Sequence, residues 1–292
     1  MTGPTPADLR WLPDDFLERA RAIADGSHQA AVPRHAATVV LLRDATDHGI
    51  EAYVLRRLTG MSFAAGMYVF PGGSVDSRDA EREIPWYGPP PEVWTEPLGA
   101  DLPLARALVC AAVRETFEES GVLLASTPDG DAVAVDHDPE HWSAEQAALL
   151  DRSASIGDVL ERNGLVLRAD LLHAWGHWTT PEIEPKRFDT RFFAAALPAG
   201  QSPVHFTGES DHSQWVRPAD AVQRHAAGDL GMLPPTVFTL AELAEYASVA
   251  DVMAAARQRE IRRVLPKIIV TDEDQVRFLL PGDQDYPEPG GG

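Results

Sequence analysis

The sequence predicts a mixed α/β sandwich, in which strands are joined mainly as hairpins and helices stand before, between and after them. Residues 38–42 form a continuous apolar run, the pattern of a strand that is buried on both faces. Residues 44–49 have turn chemistry, and 51–57 then form a return strand. Residues 105–122 carry apolar side chains at helical spacing and end near Gly121. With 292 residues and 44% hydrophobic content, the chain is long enough to bury a core.

The other elements follow from the same kinds of signal. Acidic residues near its start and Gly26 at its end predict a short helix over 13–25. Ser143 with Gln146 predicts the start of one helix beyond residue 140, and an Asn-Gly pair predicts the end of the next. The expected elements after residue 60 are a strand at 67–70, helices at 105–122, 143–151 and 155–163, strands at 172–180, 188–197 and 214–216, helices at 218–227, 236–246 and 249–258, and strands at 268–270 and 276–280.

We expect one main domain over residues 31–283, with a tail and a short helix before it in 1–30 and a flexible tail after it in 284–292. The part of this domain over 218–260 is predicted to be helical. Residues 80–103 form an insertion so rich in proline that we expect it to lack regular secondary structure. Two interpretations of the insertion stay open: a surface loop pinned by its aromatic side chains, or a lid that shapes the substrate site.

The formal net charge of −20 excludes broad, sequence-independent binding to nucleic acid, which needs a basic surface. It leaves room for a small anionic substrate held by a metal ion and a few arginines. No apolar run approaches the length of a membrane span, and the first residues lack the apolar core of a signal peptide, so we expect a cytoplasmic location. The single cysteine, Cys110, excludes an intramolecular disulfide, and we expect it to be a small buried residue rather than a nucleophile.

Three carboxylates cluster at the end of the 105–122 helix. Glu115, Glu118 and Glu119 stand at i, i+3 and i+4, which places them on one side of the last two turns. Like charges this close raise one another's pKa unless a cation lies among them, and this end of the helix dipole disfavours carboxylates. The pattern therefore indicates oxygen ligands for Mg²⁺ or Mn²⁺, with a solvated acidic helix end as the alternative. Arg114 lies four residues before Glu118 and can orient its carboxylate.

Residues 114–122, RETFEESGV, are similar to the second half of the Nudix box, RE-U-x-EE-x-G-U. The tetrapeptide FPGG at 70–73 precedes it, and Gly73 with Asp79 six residues later resembles the first half of the box, with Asp in place of the usual Glu. The 34 residues 80–113 stand where the usual box has seven. The resemblance implies the Nudix α/β/α sandwich with a mixed sheet, a proline-rich insertion in the box and extra C-terminal helices.

For the chemistry, the resemblance implies hydrolysis of a diphosphate linked to another moiety, with Mg²⁺ or Mn²⁺ as cofactor. Matched position by position, Glu115 and Glu119 correspond to the principal metal ligands of the family, and Glu118 to a further ligand. Gly73 would contribute its backbone carbonyl. Arg114 would fix the glutamates in place.

The general base varies among Nudix enzymes, and two candidates stay open. One is Glu119, and the other is Glu209, in a loop before Trp215. Asp79 is shorter than the usual glutamate and stands beside the insertion. This puts any hydrogen-bonding role of Asp79 in question and leaves it out of the expected ligand set.

Over residues 36–283 the chain resembles the coenzyme A diphosphatase branch of the family, known from peroxisomes. The coenzyme A signature upstream of FPGG is partly met. Arg57 and Gly66 fit it, whereas Ser62 stands where a second arginine is usual. The resemblance therefore implies coenzyme A or an acyl ester of it as the substrate, with 3′,5′-ADP and (acyl-)phosphopantetheine as products.

Arg57, Arg187 and Arg191 are the expected substrate-binding residues, because a planar guanidinium pairs well with phosphate oxygens. Two alternative functions remain. One is a diphosphatase for another nucleoside diphosphate derivative, such as ADP-ribose or NADH. The other is a non-catalytic, ligand-binding regulator with the same fold. The expected partner is a small-molecule diphosphate, and we expect binding to neither membranes nor nucleic acid. Formation of a homodimer is left open.

Overall fold

The computed structural model describes residues 16–24, 26–27, 29–60, 64–81, 84–204, 210–270 and 276–286. The strands are β1 (Arg34–Asp44), β2 (Ile50–Arg57), β3 (Tyr68–Val69), β4 (Gly72–Ser74), β5 (Trp86–Tyr87), β6 (Ala125–Ser126), β7 (Val166–Arg168), β8 (Leu172–Thr179), β9 (Phe188–Ala196), β10 (Ser210–Val216), β11 (Arg263–Val264), β12 (Lys267–Val270) and β13 (Val276–Leu279). The α-helices are α1 (Phe16–Ala24), α2 (Arg78–Glu81), α3 (Thr95–Leu98), α4 (Leu102–Ser120), α5 (Pro139–Leu150), α6 (Ile156–Arg162), α7 (Pro218–Ala226), α8 (Pro234–Leu243) and α9 (Val249–Ala256).

The described residues fall into two compact units. The smaller one comprises the chain up to Arg34, His177–Asp189 and the chain from Arg262, and the larger one comprises His35–Gly176 and Thr190–Ile261. The single domain expected over 31–283 stays a prediction.

The β1–β2 hairpin of the larger unit confirms the first strand pair of the sequence analysis. The two strands are antiparallel, with Leu42 opposite Ala52. Val39 and Leu41 belong to the main hydrophobic core. Strand alternation turns Val40 and Leu42 to the opposite face, and these are fully buried too. Both faces of the strand are therefore covered, as its continuous apolar run predicts.

The main sheet of the larger unit has the strand order β10-β2-β1-β9-β8, with β3 paired to β2 and β4 paired to β1. A separate three-stranded sheet has the order β5-β7-β6, in which β5 and β7 are parallel and β6 and β7 antiparallel. The combination of parallel and antiparallel pairs with helices between the strands agrees with the predicted mixed α/β class. β4 matters most for function, because it carries the glycine pair that follows Phe70 and Pro71.

α4 confirms the predicted helix, and it is more enclosed than an amphipathic helix. The Asp101 side chain accepts a hydrogen bond from the Leu104 amide at 3.0 Å, and Gly121 ends the helix with a φ of 71°. β4, α2, α3, α5 and α6 all contact it. Nearly every residue after the first turn is consequently buried, including Cys110, which confirms the prediction of a small buried cysteine.

The prediction that residues 80–103 lack regular structure is wrong. This insertion contains β5, a 3-10 turn at Pro91–Trp94 and α3. Pro91 stands in the first turn of its helix, where a missing N–H costs nothing. Trp94 and Leu98 are buried in the main core, and the Trp94 ring lies 5.9 Å from the Phe193 ring. Apart from Ile84, Trp94 and Leu98, residues 84–101 are partly or fully exposed, which agrees with a surface segment pinned by an aromatic side chain; the lid role stays a prediction.

The predicted capping role of Gln146 is also wrong. α5 begins earlier, at Pro139, and its cap is Asp138, whose Oδ1 accepts a hydrogen bond from the His141 amide at 3.2 Å. An Asp-Pro pair offers both a capping carboxylate and a favourable first helical residue, so it outcompetes Ser143 as the start. Gln146 then falls inside the helix, with its side chain buried.

The smaller unit has its own small core. β12 and β13 form an antiparallel hairpin, and α1 contacts β12. Ala20 and Ile183 are buried there, with Ile268 and Phe278 packed against them. β11 runs parallel to the end of β8. Among the described residues, no helix combines the length and the apolar character needed to cross a membrane. The expected cytoplasmic location stays a prediction.

Candidate active site

The C-terminal half of α4 brings the predicted acidic cluster together around one guanidinium group. Arg114 Nη1 donates to Glu115 Oε1 at 2.7 Å and to both carboxylate oxygens of Glu118, at 3.2 and 3.3 Å. Arg114 Nη2 also donates to the Ser74 carbonyl oxygen in β4 at 2.8 Å. All of these side chains are largely removed from solvent. Arg114 therefore contacts two of the three glutamates, Glu115 and Glu118, and its role in fixing metal ligands stays a prediction.

Asp79 completes this network, and the reservation about its hydrogen bonding is wrong. Its two carboxylate oxygens accept from Arg114 Nε at 2.9 Å and from Arg114 Nη2 at 3.0 Å, in a buried bidentate pair. The Asp79 carboxylate also accepts from the Asp76 amide at 2.8 Å, while Asp76 accepts from the Arg78 amide at 3.0 Å. This reciprocal capping at the start of α2 holds the shorter side chain against α4, so Asp reaches where Glu is usual.

The charges in this cluster depend on one another. Burial alone would lower the pKa of Arg114, but the Glu115 and Asp79 carboxylates raise it above its ordinary value, so the guanidinium stays charged. Burial raises the pKa of Glu115, and the neighbouring Glu118 charge adds to this rise, while Arg114 opposes it. The pKa of Glu118 is raised by burial as well. A cation among these carboxylates is thus electrostatically favoured.

The glycine pair of β4 meets the other side of the cluster. The Gly72 amide donates to Glu119 Oε2 at 2.8 Å, which ties the last glutamate of the helix to the strand. Gly73 lies so close to Glu115 that a Cβ built on it would stand 2.6 Å from the carboxylate carbon Cδ. A side chain at position 73 would have to displace the Glu115 carboxylate, so glycine is the residue that leaves this group in place. The need for a glycine at position 73 therefore follows from the packing of β4 against the Glu115 carboxylate.

We expect Gly73→Ala to lower turnover by about 100-fold, because a displacement of roughly 1 Å in a catalytic group is enough for such a loss. The added methyl group overlaps the Glu115 carboxylate and must push it aside. Gly72→Ala is the contrasting variant, since its Cβ would stand 2.6 Å from the Ala37 carbonyl oxygen and 2.7 Å from Thr38 Cα, which are backbone atoms. It should lower the free energy of unfolding more than Gly73→Ala does, because backbone atoms cannot move aside as a side chain can. Turnover and denaturation curves of both variants test this, and unchanged turnover in Gly73→Ala would contradict it.

The donor set fits a hard divalent cation, although the side chains do not form a ready-made cage. Among the described residues, no three His, Cys, Asp or Glu side chains lie in a metal-ligating arrangement. Arg114 instead bridges Glu115 and Glu118, and Glu119 is turned to the Gly72 amide. All three carboxylates are nevertheless on one end of one helix, and oxygen is the donor that Mg²⁺ and Mn²⁺ prefer.

Tyr53 is a neighbour of the cluster that sequence reasoning missed. It lies on β2, is buried, and packs its ring 5.4 Å from that of Trp215 on β10. Burial raises the pKa of its phenol, and the Glu119 charge adds to the rise. In the sequence, the only signal is that side chains alternate between the two faces of strand β2, which places Tyr53 on the face toward α4.

The predicted substrate-binding arginines lie in different places. Arg57 is the last residue of β2, partly exposed, and its amide donates to the Met67 carbonyl oxygen at 3.0 Å. Arg191 on β9 is buried, and its Nε donates to the Leu98 carbonyl oxygen at 2.9 Å.

Arg187 belongs to the smaller unit, where it is buried and donates to the carbonyl oxygens of Thr180 and Ala31 at 3.0 and 2.7 Å. Burial lowers the pKa of Arg187. Arg187 and Arg191 thus both bind backbone carbonyls. Glu209, the alternative general base, lies outside the described residues.

Comparison with known proteins places this site in a family context. The model of the NUDT19 Nudix domain matches residues 29–243, which include β1, the glycine pair and all of α4. The chain is 28% identical over 283 residues to an acyl-coenzyme A diphosphatase NUDT19 of Gallus gallus, covering 82% of this chain and 73% of that protein. It is also 28% identical over 290 residues to the acyl-coenzyme A diphosphatase NUDT19 of Homo sapiens, covering 82% of this chain and 73% of that protein.

Two further relatives agree. A putative nudix hydrolase 7 of Caenorhabditis elegans is 29% identical over 255 residues, covering 87% of this chain and 74% of that protein. The crystal structure of a Nudix hydrolase from Alicyclobacillus acidocaldarius matches with a TM-score of 0.63 and 29% identity, covering 77% of this chain and 96% of the other. This match confirms the predicted fold class.

Proposed function

Since the chain belongs to the NUDT19 Nudix domain family and is a Nudix-type diphosphatase, we propose that it hydrolyses coenzyme A or its acyl esters in a reaction that requires Mg²⁺ or Mn²⁺. The products would be 3′,5′-ADP and (acyl-)phosphopantetheine. The observation that carries the proposal is the set of three carboxylates at the end of α4, held by Arg114 and by the glycine pair of β4. The names of the relatives from Gallus gallus and Homo sapiens support the choice of substrate.

We assign the roles as follows. Glu115, Glu118, Glu119 and the Gly73 carbonyl would hold the ion, and when bound the ion offsets the charge on the phosphoryl oxygens. Arg114 does not meet the substrate in this scheme: it orients Glu115 and Glu118 and opposes the rise in pKa that burial imposes on them. It does so through the contacts at 2.7 to 3.3 Å that it makes with their carboxylates.

The hydrolysis itself consumes one water molecule. Its oxygen forms a bond to one phosphorus of the diphosphate, and the bond from that phosphorus to the bridging oxygen breaks. The leaving phosphate keeps the bridging oxygen, and the water proton passes to a general base, for which Glu119 and Glu209 are the two candidates. Arg57, Arg187 and Arg191 are proposed as phosphate-binding residues, and Arg57 is the most accessible of the three.

The deciding experiment is Mg²⁺-dependent turnover of coenzyme A with the products resolved by mass. Release of 3′,5′-ADP that stops when the metal is chelated would support the proposal. Running the reaction in ¹⁸O-labelled water shows which phosphorus is attacked, because the label enters that product alone. ADP-ribose and NADH serve as competing substrates. If coenzyme A stays intact while either of these is cleaved, the substrate assignment is wrong and the diphosphatase assignment holds.

A non-catalytic, ligand-binding regulator is the other function to exclude. Retention of all three glutamates together with Arg114 argues against it, because binding alone does not need this buried ionic network. Binding of coenzyme A without release of any phosphate product, across a range of Mg²⁺ and Mn²⁺ concentrations, would favour the regulator.

A further inference from the structure

Residues outside the Nudix box, Gln146 and Val204, contact the carbonyl end of α4. The last four carbonyls of an α-helix lack partners within the helix. Here the Phe117 carbonyl accepts from the Gly121 amide at 2.9 Å, and the Ser120 carbonyl accepts from the Val204 amide at 2.9 Å. Gln146 on α5 donates through Nε2 to the Phe117 carbonyl at 2.9 Å and to the Glu118 carbonyl at 2.7 Å. Both partners can only accept, so both amide hydrogens of Gln146 are used.

α5 presents this amide from a fixed position. Glu145, the residue before Gln146, accepts from Arg162 Nε at 2.7 and 2.8 Å and from Asn163 Nδ2 at 2.9 Å, which ties α5 to the end of α6. The Trp142 ring lies 6.0 Å from the Phe117 ring at an interplanar angle of 87°. The Gln146 side chain is buried, with 1% of its surface exposed. Its amide is therefore unable to leave α4 without losing two hydrogen bonds in a dry environment.

We propose that Gln146 is a positioning residue for the metal-binding carboxylates, an inference that rests on the proposed function. The two carbonyls that it binds belong to the turn from which Glu118 and Glu119 project. This end of the helix carries the negative pole of the helix dipole, which opposes three carboxylates. The Gln146 amide hydrogens offset part of that negative charge and fix the turn. Outer contacts of this kind typically change metal affinity by about 10- to 100-fold.

Gln201 provides a matched control. It is also buried, and its amide makes two hydrogen bonds to backbone, accepting from the Leu123 amide at 2.8 Å and donating to the Leu123 carbonyl at 2.9 Å. Leu123 lies beyond Gly121, outside the helix that carries the glutamates. Gln146→Met and Gln201→Met therefore each remove two hydrogen bonds between a buried side chain and the backbone. Only Gln146→Met removes them from the turn of α4 that carries Glu118 and Glu119.

The test is a titration of each full-length variant with Mn²⁺, followed by direct detection of bound metal, beside a thermal denaturation curve. We expect both variants to lose similar stability, and Gln146→Met alone to bind Mn²⁺ about tenfold more weakly. Equal Mn²⁺ affinity in Gln146→Met and the wild type would overturn the proposal. Equal weakening in both variants would overturn it too, because the role would then be merely structural.

A measurement on the unmodified protein covers the case in which Gln146→Met does not fold. The side-chain amide resonance of Gln146 should shift on addition of Mg²⁺, while that of Gln201 stays in place. Absence of a Gln146 shift in a protein that binds Mg²⁺ would contradict the positioning role. Absence of any Mg²⁺ binding by the wild type would instead contradict the proposed function, so the two failures are distinguishable.

Discussion

Arg114→Met should lower the free energy of unfolding by about 3–5 kcal/mol, the range found when one partner of a buried ion pair is removed. Arg114 is buried and donates to Asp79, to Glu115 and Glu118, and to the Ser74 carbonyl. Methionine has a similar length but no donor. The carboxylates would keep their buried positions and lose the charge that offsets them. Denaturant unfolding of the metal-free protein measures the effect without interference from a bound ion.

Arg162→Met is the control for this prediction. Arg162 also pairs with a buried carboxylate, Glu145, but about half of the Arg162 side chain is exposed and Asn163 binds the same carboxylate. Its loss should therefore cost distinctly less than that of Arg114, in line with the modest value of partly solvated pairs. Similar losses in both variants would mean that the Arg114 network has no special role in the stability of the fold.

Glu119→Gln should abolish most of the turnover and leave the fold intact. Glu119 accepts from the Gly72 amide at 2.8 Å, and a glutamine side-chain oxygen can accept the same hydrogen bond. The free energy of unfolding should therefore stay close to that of the wild type. The glutamine side chain is neutral, so it is a weaker metal ligand than glutamate and cannot act as a general base. Removal of a general base alone lowers the rate by about 10²- to 10⁴-fold.

Glu209→Gln separates the two candidate bases. If Glu209 is the base, its variant loses turnover with unchanged Mn²⁺ affinity, whereas Glu119→Gln loses both. If Glu119 combines both roles, Glu209→Gln should turn over like the wild type. Retention of wild-type turnover in Glu119→Gln would remove this residue from the site altogether.

The fold around α4 was predictable because its signals are local. Asp101 and Gly121 are standard helix ends, and the glutamates at i, i+3 and i+4 can only share one side of a helix. The apolar run at 38–42 identified the central strand for a similar reason. FPGG was identified through its resemblance to the Nudix box, which did not indicate Glu115 as the group that Gly73 approaches.

The contacts that complete the site were not predictable, because they join residues distant in sequence. Asp79 lies 35 positions before Arg114, and Gln146 lies 28 positions after Glu118. A glutamine at the eighth position of a 12-residue helix has no pattern that distinguishes it from a surface residue. Ser143 and Gln146 have the spacing of a helix start by coincidence. The helix begins instead at the preceding pair, Asp138 and Pro139. Arg191 shows the same limit, since its partner is a backbone carbonyl in the insertion.

The ion pair between Asp79 and Arg114 also closes the loop that contains the insertion, because these residues border the 34 residues 80–113. Loop-closure entropy grows only with the logarithm of length, so lengthening this segment from seven residues to 34 costs about 1.4 kcal/mol. Burial of side chains such as Trp94 and Leu98 readily offsets that amount. The Asp79–Arg114 ion pair therefore joins the two halves of the Nudix box across a 34-residue segment at a small entropic cost.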